Sequence, residues 1–443
     1  MTGSTPGGPD QPGFGGFNPA DMAAMFGQLS RMYSGGDPME LSTLITTSRQ
    51  LAAAEGADPS VTPAEAAAVA DAVRLAELWV DPVTGLSAGT GKAAAWSRAE
   101  WVEGTAVAWR TLLLPLVEQL QQQSRADLEQ ATQAAGPEAP AAGLDLSALS
   151  KMMTPMIQAM LSQQVAAGIA KLSTQVLGGA DIGLPLTDSS VRVLLPGNVR
   201  QFAESIERDP AEVRVYLALR ESAHARLHHT APWLLDRIQT VLGATAAGST
   251  PRLGDLSDLL SSADPADPES MMRQINERME EAAESPEQRA RESHLETLLA
   301  LVIGWVDDVV GQAAVGRMPS EPALSEALRR RRAAGGPTEQ VFAELAGLEL
   351  RPRRAREAAT LFARLREAGG PALRDKVWQS PQFVPGSSDL DDPAGYVSAM
   401  AAPDPDVSAL EGLFGDFNQP DDRPARDRGD DEDGGPDAAP SGA

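Results

Sequence analysis

Residues 215–229 have the sequence VYLALRESAHARLHH, and this stretch decides how the rest of the chain is interpreted. Its helical periodicity predicts an α-helix over residues 212–229. Glu221, His224 and His228 are separated by three and four residues, so they share one face of this helix. Carboxylate and imidazole groups commonly bind metal ions or transfer protons. The helix is therefore predicted to lie at the centre of the fold and to carry the candidate site.

The overall composition favours an aliphatic, water-soluble fold. Of the 443 residues 42% are hydrophobic but only 4% are aromatic, so alanine, leucine and valine must fill most of the core. The formal net charge of −25 argues against general binding to nucleic acids or anionic membranes. No window approaches ~18 consecutive apolar residues, so a membrane span is not expected.

The absence of cysteine bears on the expected compartment. It excludes disulfide bonds and thiolate metal sites, and it favours a reducing cytoplasm. Residues 1–17 are rich in glycine and proline and lack the basic start and apolar run of a signal peptide. We therefore expect a cytoplasmic protein.

Helix signals dominate the chain. Thr62–Glu65 and Ser97–Glu100 are capping boxes that predict helix starts, and helical periodicity continues over residues 287–313. Val191–Leu195 is the one convincing strand, and Pro196 and Gly197 close it. We expect a mainly α fold with few short strands. The predicted organisation is a disordered N-terminus (1–17), a mainly helical body (18–400) and an acidic disordered tail (401–443).

The order of these elements resembles a zincin-like family of uncharacterised bacterial proteins, described as hydrolases or zinc-dependent metalloproteases. The likeness rests on residues 185–235, on Gly304-Trp305-Val306-Asp307 within 298–310, and on the stretches LRRRRAAGGP (328–337) and GLELRPR (347–353). The resemblance implies a helix motif H-E-x-x-H, in which two histidines bind zinc and the glutamate activates water. It places Glu221 at the catalytic base and His224 at the second histidine.

The chain departs from the implied ligand set at two positions. Arg220 stands where the first histidine is expected, and a guanidinium keeps its positive charge and does not bind a metal as a neutral imidazole does. A downstream ligand is expected near Gly304, but the flanking Ile303 and Trp305 cannot supply one. The nearest carboxylates are Asp307 and Asp308. The zinc-ligand set is therefore predicted to be incomplete.

Two interpretations of the motif helix remain open. Glu221, His224 and His228 could form a zinc set of two histidines and one glutamate, with His224 and His228 as metal ligands. Alternatively, the helix lies near the surface, with His228 and His229 protonated at its C-terminal end. The corresponding functions are a zinc-dependent hydrolase and a catalytically inactive pseudoprotease that binds a peptide or protein partner.

Arg220 also allows a structural expectation. Its guanidinium can bind a carboxylate through two parallel hydrogen bonds. We expect it to pair with Asp307 or Asp308 and so connect the two helices that a metal ion would have joined. The alternative is that Arg220 extends into solvent.

Overall fold

The computed structural model describes residues 40–114, 162–181, 183–249, 285–336 and 354–402, with the single positions 122 and 159. The predicted disordered segments 1–17 and 401–443 lie outside these ranges, apart from residues 401 and 402. The stretch 337–353, which contributed to the family resemblance, also lies outside them.

The described residues are mainly helical, as predicted. In chain order the elements are α1 (Leu41–Ala54), α2 (Pro63–Val80), β1 (Lys92–Ala95), α3 (98–114), α4 (162–173), β2 (Val191–Leu194), α5 (Pro196–Ser205), α6 (Pro210–Thr230), α7 (Trp233–Ser249), α8 (Pro286–Ala314), α9 (Glu321–Ala333), α10 (Ala355–Lys376), α11 (Ser387–Asp391) and α12 (Pro393–Ala401). Short 3-10 turns occur at Asp81–Val83 and Pro381–Phe383.

Both predicted capping boxes are confirmed. At the start of α2 the Glu65 N–H donates to Thr62 Oγ1 over 3.2 Å, and the Thr62 N–H donates to Glu65 Oε2 over 2.9 Å. Before α3 the Glu100 N–H donates to Ser97 Oγ over 3.2 Å, and the Ser97 N–H donates to Glu100 Oε2 over 2.7 Å. These bonds satisfy N–H groups that have no partner within the helix, and they set where each helix begins.

A two-stranded parallel sheet accompanies the helices. β1 pairs with β2 in the register Lys92↔Val191 to Ala95↔Leu194. On the other side of β2, residues 177–179 run antiparallel, with a hydrogen bond of 3.2 Å from the Gly179 N–H to the Val193 carbonyl. β2 matches the predicted strand. β1 was not predicted, because lysine and alanine have low strand propensity.

Helix α6 is the central helix of this arrangement. It packs against α2, α5, α8 and β2, and every residue from Tyr216 to His228 is buried. The interpretation of this helix as a surface helix is therefore wrong, although His229 at its C-terminal end is exposed. Its burial on all sides explains why its apolar side chains do not form a single stripe.

Helix α8 is the second core helix. It is long and apolar enough to cross a membrane, but 78% of its most apolar window is buried inside the protein. At Gly304 the helix lies against α10 so closely that a Cβ atom would lie 2.6 Å from the backbone nitrogen of Ala359. The glycine thus allows the two helices to pack backbone against backbone.

Candidate functional site

Arg220 forms a buried ion pair with Asp307. The distance from Arg220 Nη1 to Asp307 Oδ1 is 2.5 Å, and the two side chains are 9% and 10% exposed. Arg332 of α9 brings a second guanidinium, with Nη2 3.8 Å from the same carboxylate oxygen. The expected link between the motif helix α6 and the downstream helix α8 is present, and α9 joins it. Arg220 does not extend into solvent.

Asp308, the neighbouring acid, serves a different contact. Its carboxylate accepts hydrogen bonds from Arg366 Nε at 3.2 Å and from Arg374 Nη1 at 3.0 Å, both on α10. Arg374 also donates to Asp375, whose other oxygen accepts from the Thr84 hydroxyl at 2.7 Å. The two consecutive aspartates thus connect α8 to different helices, and only Asp307 faces Arg220.

Glu221 points away from Arg220 and toward the segment before β2. Its Oε1 accepts the Ala180 N–H over 3.0 Å, and a Cβ atom on Gly178 would lie 2.4 Å from the same oxygen. Burial raises the pKa of Glu221 to about 8, against the opposing effect of the Ala180 and Gly179 amides, while the charge of Asp181 raises it further. The carboxyl group therefore carries its proton through most of the neutral range.

His224 and His228 lie one turn apart with their rings stacked. The ring centroids are 6.1 Å apart, and the planes differ by 9°. Burial lowers the pKa of His228 to about 4. Burial also lowers the pKa of His224, and the positive charges of Arg220 and Arg332 lower it further. Both imidazoles are therefore neutral at neutral pH. His224 Nδ1 and His228 Nε2 are buried and have no hydrogen-bond partner among the described residues.

These residues do not fit a zinc ion. Glu221 is directed at the amides of Gly179 and Ala180, so the proposed set of Glu221, His224 and His228 does not converge. Across the described ranges no three histidine or carboxylate side chains are arranged to hold a metal. The Arg220 guanidinium stands at the first ligand position, already paired, and its charge would repel a divalent cation. We therefore assign no chemical step to a metal here.

Three parts of the site were not identified from the sequence. Arg332 entered the sequence analysis only as part of the stretch 328–337, and the segment 178–180, with Gly178-Gly179, was not part of the predicted site. Asp181, which raises the pKa of Glu221 and lies 3.3 Å from Arg331, was not considered. The double glycine was the available signal, because glycine often permits close approach of a backbone to a side chain.

The comparisons with known proteins agree with this architecture. A family model described as "Zincin-like metallopeptidase" matches residues 42–397. The chain is also similar to a crystal structure described as "a putative hydrolase with a novel fold" from Chloroflexus aurantiacus, with a TM-score of 0.55 and 17% identity. That alignment covers 82% of this chain and 99% of the other, and at this identity it shows a shared fold alone. A search of curated proteins found no match. Because the family model spans most of the chain, this protein belongs to the zincin-like metallopeptidase family.

Proposed function

We propose that this protein is a pseudopeptidase, which binds a peptide or protein partner and does not hydrolyse it. The observation that carries the proposal is the Arg220–Asp307 ion pair at the place of the first metal ligand. In a zincin the first histidine must offer a lone pair to the metal. Arg220 offers none, and its charge is already balanced by a buried carboxylate.

The state of Glu221 supports the same conclusion. A general base must accept a proton from water, and it works best when its pKa lies near the working pH and water can reach it. Glu221 is only 6% exposed and accepts a hydrogen bond from a backbone amide, so water has little access to its carboxyl group. The carboxyl group is better suited to holding the segment before β2 against α6 than to activating water.

A zinc-dependent hydrolase is the second candidate. It is favoured by the buried nitrogens of His224 and His228, which lack hydrogen-bond partners among the described residues. Two neutral imidazoles are good zinc ligands. This alternative requires Arg220 to leave Asp307 and at least one more ligand to come from elsewhere in the chain.

Hydrolysis of a quenched fluorescent peptide library distinguishes the two functions. The matched control is Glu221→Gln, which keeps the size of the side chain and removes the base. We expect wild type and Glu221→Gln to show the same background rate, with and without added zinc. Hydrolysis that is lost both in Glu221→Gln and on chelation would contradict the pseudopeptidase and support the hydrolase.

A further inference from the structure

The outer edge of β1 presents main-chain groups that no described residue pairs. The Lys92 N–H donates to the Ser190 carbonyl over 2.7 Å, and the Trp96 N–H donates to the Leu194 carbonyl over 3.0 Å. Since alternate residues of a strand face opposite neighbours, Ala93 and Ala95 direct their N–H and C=O groups away from β2. The far side of β2 is covered by residues 177–179. β1 is thus the open edge of the sheet, and it lies on the opposite side from Glu221.

An open groove of about 780 Å³ adjoins this edge, between α2 and β1. Ala70, Val73 and Leu78 of α2 give it an apolar wall, while Gly91 and Ala93 line the strand side. Leu78 is 67% exposed and is one of three exposed large hydrophobic residues in the part of the chain that the structure describes. The small side chain of Ala93 leaves room for another main chain to approach, whereas the space beside the Gly91 Cα is filled by the Arg192 guanidinium.

One end of the groove is acidic on its solvent side. Glu77 accepts hydrogen bonds from Arg192 at 2.9 Å and from Arg226 at 2.7 Å, and Arg226 also reaches Asp81 at 3.2 Å. The two arginine side chains are 0% and 2% exposed, whereas those of Glu77 and Asp81 are 24% and 76% exposed. At this end of the groove a ligand meets the carboxylates of Glu77 and Asp81, with the guanidinium groups of Arg192 and Arg226 buried behind them. Arg74, which is 72% exposed and pairs with Asp71, also lines the groove.

We propose that the β1 edge and this groove form a docking site for an extended segment of a partner protein. The segment adds to the sheet as a strand through the main-chain groups of Ala93 and Ala95. It places an aliphatic side chain against Leu78 and a lysine or arginine at Asp81. This proposal rests on the proposed pseudopeptidase function, because it assumes that the partner is bound and not cleaved. It adds the kind of partner, an extended segment of a protein, and a binding surface separate from the motif residues.

Selection from random peptides displayed on phage tests the proposal with the full chain. The informative variant is Ala93→Pro, which removes one outward N–H and leaves the hydrogen bonds to β2 in place. We expect wild type to enrich peptides with alternating aliphatic residues and a basic residue, and Ala93→Pro to bind the same peptides at least about tenfold more weakly. N-methylation of alternate peptide bonds in a selected peptide should abolish its binding.

A pair of charge variants tests the acidic end. Asp81→Asn should weaken the selected basic peptides several-fold. The control Glu103→Gln should not, because Glu103 is a half-exposed acid on α3 that pairs with Arg49, and neither residue lines the groove. If Ala93→Pro does not fold, hydrogen exchange of residues 92–96 in wild type replaces it, and a selected peptide should slow this exchange.

Three results would overturn the proposal: no enrichment on wild type, equal binding by folded Ala93→Pro, or unchanged exchange at residues 92–96 with peptide bound. A concentration-dependent dimer that Ala93→Pro dissociates would assign the edge to a second copy of this chain and would also contradict the proposal. None of these results depends on zinc or on hydrolysis. Failure of the docking site is therefore distinguishable from failure of the pseudopeptidase assignment.

Discussion

Loss of the buried Arg220–Asp307 ion pair should lower the free energy of unfolding by several kcal/mol. Two unit charges about 4 Å apart at an effective dielectric constant of about 20 attract by about 4 kcal/mol. Removing one member of a buried pair costs about 3–5 kcal/mol, because the other charge stays buried. Arg332, 3.8 Å from Asp307, reduces the cost of removing Arg220. We therefore expect a loss near the lower end of this range for Arg220→Met.

A double-mutant cycle measured by urea unfolding isolates the pair. Combining Arg220→Met with Asp307→Asn should give a coupling energy of about 2 kcal/mol or more. The matched control is Asp308→Asn, which removes a neighbouring buried acid that binds Arg366 and Arg374. Its combination with Arg220→Met should be additive within about 0.5 kcal/mol. Additivity in both cycles would refute the claim that the pair connects α6 and α8.

Further predictions concern the buried ionisable groups and the helix contacts. The pKa of Glu221 is raised from 4.5 to about 8, so its contribution to stability is full below pH 4.5 and is lost as the pH rises through 8. The free energy of unfolding in urea should therefore fall less in Glu221→Gln than in wild type over this pH range, by up to about 5 kcal/mol. The pKa of His228 is lowered from 6.5 to about 4, so its contribution to stability is full above pH 6.5 and is lost as the pH falls through 4. On acidification the free energy of unfolding should therefore fall less in His228→Leu than in wild type, by up to about 3 kcal/mol. The same fall in both proteins would contradict the burial of His228 as a neutral ring. Gly304→Ala should lower thermal stability by about 1–3 kcal/mol, because its Cβ would meet the backbone at Ala359. In the control Gly311→Ala the new Cβ has free space, so this substitution should stabilise the helix by about 0.5–1 kcal/mol. Equal effects at the two glycines would contradict the close packing of α8 and α10.

The sequence predicted the helices well because their ends depend on local chemistry. Residues 212–229 and 287–313 were predicted as helices, and the structure has Pro210–Thr230 and Pro286–Ala314. Proline follows the N-cap in both helices, and Asp209 and Ser285 supply the capping oxygen. β1 was missed because its strand conformation depends on pairing with β2, which alanine and lysine do not signal.

The site was only partly predictable, for a similar reason. A charged arginine that replaces a ligand needs a carboxylate, and the acids downstream of Gly304 were the evident partners. That Asp307 and not Asp308 faces Arg220 depends on the rotation of α8 about its axis, which packing against α10 determines. The contacts of Glu221 with Ala180, and of Arg332 with Asp307, join segments far apart in sequence, and no local pattern encodes them.

The zinc content of the protein tests most directly the claim that an ion pair has replaced the metal. Protein purified without a metal-binding tag would be equilibrated with zinc at neutral pH, desalted and analysed for zinc per chain by elemental analysis. We expect zinc far below one ion per chain, both in wild type and in His224→Ala. One zinc per wild-type chain, lost in His224→Ala, would contradict it.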